Sequence, residues 1–238
     1  TLNFGGIVDT TGGTLVCKGD PALNRITKYI AQMPNSDFKA STVYIRVKDG
    51  KGYKVFSPFV TPTLTKMDKW ECHVGLSYSR WIAEVYGLRV QVTIFVPTGS
   101  NTLLQDIQVT NIAGASKEVD IIPVYEFSHF EAEKQLTNAD WVPQTMTLKA
   151  HKEKDGHLVL EQYAYMKRDF AVNYVTADCK VSSFDGDRRV FLGQNEMGSW
   201  ANPLSLQNKE LSNSECDRGD NIAALMIHPG QLAPKKTF

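Results

Sequence analysis

The sequence predicts an all-β protein built as a large antiparallel sandwich, and three observations predict it. Apolar and polar side chains alternate along run after run of residues, turn signals recur about every ten residues, and helical patterning is scarce. The clearest run is Leu88-Arg89-Val90-Gln91-Val92-Thr93-Ile94-Phe95-Val96-Pro97. Val90, Val92, Ile94 and Val96 take one side and Arg89, Gln91, Thr93 and Phe95 the other, which is the period of a strand with one buried face.

Along the chain, Gly5-Gly6 and Gly12-Gly13 come first. Neither precedes the Lys-Ser/Thr of a phosphate loop, so both are turn glycines. Residues 21–29 predict a short helix, with Asp20 as N-cap and Pro21 at the first helical position. Residues 42–47 alternate, with Val43, Ile45 and Val47 against Tyr44 and Arg46, and run through Asp49-Gly50-Lys51-Gly52 into Tyr53-Lys54-Val55-Phe56. That is a hairpin. Tyr86-Gly87 turns a strand over residues 78–85 into the run at 88–96, and strands at 103–111 and 119–127 follow across the small, polar Ala113-Gly114-Ala115-Ser116. Residues 130–138 hold one more helical turn. Lys154-Asp155-Gly156-His157 joins strands at 145–151 and 157–163, and further strands are expected at 172–177 and 222–228. The segment from Phe184 to Asp220 has little strand pattern, and long irregular stretches of this kind are functional loops or covering segments.

Composition narrows the function. Lys and Arg together equal Asp and Glu, for a formal net charge of zero, so no basic excess draws the chain to nucleic acid or an anionic membrane. No apolar run is long enough for a transmembrane helix. Cys17, Cys72, Cys179 and Cys216 are widely spaced and never form C-x-x-C. Four reduced, packed thiols are expected, which favours a reducing, cytoplasmic setting. No signal peptide and no N-x-S/T acceptor is present, and both ends read as cut from something longer. The five histidines lack H-x-H or H-x-x-x-H spacing, so no metal site is expected. Cys72 and His73 are adjacent on a strand and point to opposite faces, so they do not make a nucleophile pair. Carboxylates that could serve glycoside cleavage include Glu71, Glu126, Glu131, Glu133, Asp140, Asp185, Asp187, Glu196 and Glu215. Sequence does not say which two face one another, and Asp185 and Asp187, flanking Gly186, read as turn residues. A sugar site needs an aromatic platform and planar hydrogen-bonding groups. Asn138, Asp140, Trp141 and Gln144 supply both within one loop, while packing is the simpler role for Trp200.

Asp68-Lys69-Trp70-Glu71-Cys72-His73-Val74-Gly75-Leu76-Ser77-Tyr78-Ser79-Arg80 resembles the Y-E-C-x-x-G-L-x-Y-x-R segment of the inverting glycoside phosphorylases of glycoside hydrolase family 94, with Trp70 in place of Tyr. Other pieces agree in order: Tyr44-Ile45-Arg46, Phe56-Ser57-Pro58, Val109-Thr110-Asn111, Phe184-Asp185-Gly186-Asp187-Arg188 and Arg218-Gly219-Asp220-Asn221. Phe127-Ser128-His129-Phe130 and residues 138–146 look closest to the cellobionic acid phosphorylase branch.

The resemblance implies a β-supersandwich of galactose-mutarotase type, forming a single N-terminal domain over residues 1–238. It also implies an (α/α)6 barrel, C-terminal and absent from this chain, that holds the catalytic Asp and the phosphate site. No residue here corresponds to the catalytic acid. The implied reaction is phosphorolysis of a β-linked disaccharide such as cellobiose or cellobionate to glucose 1-phosphate. Inorganic phosphate is the co-substrate and no cofactor is required. A homodimer is implied in which the sandwich of one subunit lies near the cleft of the other. Asn138, Asp140, Trp141 and Gln144 would then wall the acceptor subsite, with Gln144 as hydrogen-bonder and Trp141 as platform. Two other roles fit the same residues: a stand-alone carbohydrate-binding sandwich, and a dimerisation module without a ligand.

Overall fold

The computed structural model describes residues 3–29, 38–165 and 172–238. A small hairpin, β1 (Gly5–Val8) with β2 (Thr14–Cys17), opens the chain. Then come β3 (Ser41–Asp49), β4 (Gly52–Phe56), β5 (Lys69–Val74), β6 (Tyr78–Val85), β7 (Leu88–Phe95), β8 (Leu104–Asn111) and β9 (Lys117–Glu126). The helix α1 (Ala132–Thr137) leads to β10 (Met146–Lys152), β11 (Leu158–Ala164), β12 (Val172–Thr176) and β13 (Ser183–Asp187). The short α2 (Arg188–Leu192) precedes the long β14 (Asn221–Leu232). The all-β antiparallel architecture expected from the alternation is what forms.

Three sheets make the body: a five-stranded one in the order β13-β14-β9-β3-β4, a four-stranded β5-β6-β7-β8, and a three-stranded β10-β11-β12. Each face of the central sheet has its own cover. Val43, Ile45, Val119, Ile121 and Ile227 pack with Trp81, Val90, Val92, Ile94 and Val109 of the four-stranded sheet. Further along the same face, Ala223 and Leu225 meet Leu148 and Leu160 of the three-stranded sheet. The opposite face, with Tyr44, Ile122, Val124, Ala224 and Met226, is covered by Phe191, Leu192, Leu206 and Leu211. Period-two alternation makes this possible, because Ile121 and Ile122 bury on opposite sides of one strand. The irregular 184–220 stretch is therefore in good part the lid of a core. Arg46 fastens it. Fully buried, its guanidinium donates to Asp120 at 2.6 Å and to the carbonyls of Leu206 (3.1 Å), Asn208 and Lys209 (2.9 Å).

Turn chemistry sets the registers. Tyr86 and Gly87 both have positive φ, 54° and 74°, the geometry that lets two residues join strands of right-handed twist. A Cβ at Gly87 would sit 2.9 Å from that of Ala113, so glycine is required twice over. Two expectations fail. Residues 21–29 are not a helix: Asp20 Oδ1 accepts from the Ala22 amide and closes a single turn. The chain then runs extended, bridging Arg25 to Cys17 and Thr27 to Phe127, because partners on the sheet outweigh a short helix that buries nothing. Asp185 is not a turn residue but lies buried in β13, while Asp187 caps α2 through Oδ1 to the Arg189 amide at 2.7 Å.

Candidate functional site

The candidate site is a turn pinned from below and open above. Helix α1 ends at Asn138, whose amide donates to Lys134 O at 3.1 Å and whose Nδ2 donates to Thr137 Oγ1 at 2.9 Å. Asn138 Oδ1 then accepts from Trp141 Nε1 at 3.2 Å, which orients the indole. A 3-10 turn over Val142–Thr145 follows, closed by Thr145 Oγ1 donating to Val142 O at 2.7 Å. Val142 and Pro143 are buried and anchor the turn, while Asp140, Trp141 and Gln144 face solvent. The structure thus brings all four expected residues together, and gives Asn138 a positioning part that the sequence did not disclose.

Two residues join them that sequence reasoning did not single out for binding. The Tyr165 amide donates to Thr145 O at 2.7 Å, and the Gly219 amide donates to Pro143 O at 3.0 Å. The turn is therefore held on both sides. The Arg218 guanidinium stacks over the Tyr165 ring at 4.5 Å, an arrangement that leaves its N–H edge free to donate. Trp141 and Tyr165 are 47% and 54% exposed, which leaves ring area on each that a ligand could reach. The sequence signals for Arg218 are its place in the irregular 184–220 stretch and in a family-like segment, and Tyr165 carries none.

The ground beneath is built of ion pairs. Lys149 reaches Asp217 at 2.6 Å and Glu215 at 3.0 Å. These carboxylates hold the Lys149 ammonium above its ordinary pKa, and the ammonium in turn holds Asp217 low. Deeper, Lys28, Glu126, Arg188 and Asp220 alternate in sign. Lys28 meets Glu126 at 3.1 Å and Asp220 at 2.9 Å, and Arg188 meets Glu126 at 2.8 Å and Asp220 at 2.5 Å.

Three more of the candidate carboxylates have structural surroundings. Glu71 lies between Lys69 and His73, whose hydrogen bonds, Lys69 first, lower its pKa to about 2. Asp185 Oδ1 accepts from the hydroxyls of Ser212 (2.5 Å) and Ser214 (2.9 Å), yet burial outweighs them and raises its pKa. Glu131 pairs with Lys134 at 3.8 Å. Glu71, Glu131 and the Oδ1 of Asp185 thus have ordinary structural partners, unlike a pair of opposed acids poised across a glycosidic bond. Trp200 is a packing residue, stacked on Phe38 with ring centroids 3.6 Å apart.

Two small antiparallel sheets laid on one face of a larger one define the class of fold, a large β-sandwich of several sheets. The family follows from direct comparison. The family model described as "Glycosyl hydrolase 94, supersandwich domain" matches residues 1–237, and the chain belongs to that family. It is similar to an N,N'-diacetylchitobiose phosphorylase of Vibrio furnissii, 26% identical over 97% of this chain and 29% of that protein. It is also similar to a cellobionic acid phosphorylase of Neurospora crassa, 22% identical over 72% of the chain and 21% of that protein. A solabiose phosphorylase of Paenibacillus borealis is 21% identical over 83% and 25%. The chain spans less than a third of the length of these curated relatives. Likeness to the chitobiose enzyme is the longer and closer, so the finer placement beside the cellobionic acid branch gains no support.

Proposed function

We propose that this chain is the N-terminal sandwich of an inverting glycoside phosphorylase that acts on a β-linked disaccharide. The observation that carries the reading is the family match along the whole chain, together with relatives that are all named phosphorylases. In the reaction a phosphate oxygen attacks the anomeric carbon, the bond to the acceptor oxygen breaks, and an Asp of a following barrel protonates that oxygen. Phosphate replaces the activated water, so one protein carboxylate suffices. This chain contributes shape, water exclusion and acceptor contacts: Gln144 as hydrogen-bonder, Trp141 as platform, Asn138 to orient the indole, and Asp140 beside them. A cytoplasmic homodimer in which this turn faces a neighbouring cleft completes the reading.

The test compares two polypeptides. The 238-residue chain should release no sugar 1-phosphate from cellobiose, cellobionate or diacetylchitobiose with phosphate, and one extended through the barrel should release a sugar 1-phosphate from at least one. Activity of the short chain overturns the reading. The exposed rings of Trp141 and Tyr165 favour a second reading, an independent carbohydrate-binding module. It requires heat of binding from the isolated chain with these sugars, abolished by Trp141→Ala.

A further inference from the structure

The two small sheets part above the central one. Between them lies a groove of about 1980 Å3, floored by Ile121, Pro123, Tyr125, Leu225 and Ile227. Strand β8 forms one wall and β12 the other.

The β8 wall is a half-occupied strand edge. At its upper end the Val109 amide donates to Phe238 O at 2.8 Å and the Phe238 amide donates to Val109 O at 3.0 Å. The Asn111 amide donates to Lys236 O at 3.0 Å, and Thr110 bridges Thr237 in antiparallel sense. In an antiparallel ladder the outward backbone groups belong to alternate residues. Those of Ile107 and Gln105 therefore point the same way as those of Val109, into the groove, and among the described residues no backbone partner meets them. An unpaired edge of this kind is a template for another strand.

A second observation marks the same place. Gln105 lines the groove, and both its side-chain Oε1 and Nε2 are buried without a hydrogen-bond partner. Buried amides are normally satisfied. Phe238 itself lines the groove, so the segment that pairs with Val109 is already directed along the open edge.

We propose that the groove seats the stretch of polypeptide that follows Phe238 in the parent enzyme, added as an antiparallel strand to the lower half of β8. The proposal rests on the reading of this chain as one domain of a longer phosphorylase, and the relatives, more than three times its aligned length, have chain to supply. The register is fixed by the pairs already present. The residue two beyond Phe238 exchanges both backbone hydrogen bonds with Ile107, and the residue four beyond does so with Gln105. Side chains at these positions share the face of Phe238 and descend onto the apolar floor. The second lies beside the Gln105 amide and supplies its partner.

The experiment uses the full-length enzyme. Backbone hydrogen exchange should show the Ile107 and Gln105 amides slowed about a hundredfold or more relative to an exposed edge. Ile107→Cys paired with a cysteine two residues beyond Phe238 should form an intramolecular disulfide on mild oxidation, and a cysteine placed five residues further on should not. Fast exchange at both amides with no cross-link overturns the proposal. So does a cross-link that joins two copies, which would give the groove to a second subunit. Protection that appears only when cellobiose is added would give it to a sugar, and a mature polypeptide that ends at Phe238 would leave no occupant. Phosphorolysis by the same preparation is scored separately. An enzyme lacking it but carrying the cross-link keeps this proposal and loses the functional reading.

Discussion

Gln144 and Trp141 can be altered with little risk to the fold, because the turn that carries them is fixed by the buried Val142 and Pro143 and by backbone bonds to Tyr165 and Gly219. In the full-length enzyme, Gln144→Ala should raise the acceptor KM by about five- to tenfold, the worth of one hydrogen bond to a sugar hydroxyl, and leave the melting temperature unchanged. Initial-rate kinetics in the synthetic direction reads this directly; an unchanged KM would remove Gln144 from the acceptor subsite. Asp185 belongs to the opposite kind of residue. Burial raises its carboxyl above the ordinary value despite the two serines, and Oδ2 finds no partner. A raised acid favours the native state when protonated, so its ionised form costs stability above the ordinary carboxylate pKa. Asp185→Asn keeps an acceptor for Ser212 and Ser214 and removes the charge. It should be more stable than the parent at pH 7 and lose that advantage as the pH falls toward 4, in urea titrations run across the range. A parent that is the more stable at pH 7 would refute this account of the site.

At the scale of elements, sequence legibility followed locality. The hairpins at Gly50, Tyr86-Gly87 and Gly156 were readable because turn residues and flanking alternation sit side by side in the chain. The turn at 138–145 was readable for the same reason, since amide, carboxylate and indole are neighbours. Tyr165 and Arg218 were not: the Tyr165 amide bonds to Thr145 O, and Arg218 is held beside the turn by the neighbouring Gly219 amide on Pro143 O and by its stacking on Tyr165, contacts that carry no side-chain signal in the sequence. The segment 21–29 shows the converse error, in which a local cap and proline lost to distant strand partners. Strand β13 was obscured by Gly186, whose reason lies in a neighbour. A Cβ there would stand 2.4 Å from Leu148 Cδ2 and 2.9 Å from Ser214 O. The three-stranded sheet approaches β13 at this point, so Gly186→Ala should destabilise by about 2 kcal/mol through overpacking. A midpoint in urea within error of the parent would mean that Leu148 yields freely.

At the scale of the whole molecule, the cluster of Lys28, Glu126, Arg188 and Asp220 joins four parts that are remote in sequence: the N-terminal crossing segment, the end of β9, the start of α2 and the loop beneath the candidate site. No local pattern announces such a cluster, because each member is an ordinary surface-type charge until the fold closes. Removing one carboxylate leaves two cations against a single anion in partly buried surroundings, where side-chain exposures are about a fifth or less. Glu126→Gln should therefore cost about 2–3 kcal/mol, near the lower end for a broken buried pair. The pH dependence separates this from simple packing loss. Burial alone would lower the Lys28 ammonium, but Glu126 and Asp220 outweigh it and raise its pKa above the ordinary 10.5. A raised base contributes stability that is complete below its unfolded value and is lost as the pH climbs through the folded one. Lys28→Met, which keeps the length of the side chain and deletes the charge, should accordingly be less stable than the parent at pH 7 by an amount that stays constant up to about pH 10 and shrinks only in stronger alkali. If that difference instead varied between pH 6 and 9, a group other than the Lys28 ammonium would be tying these four parts together.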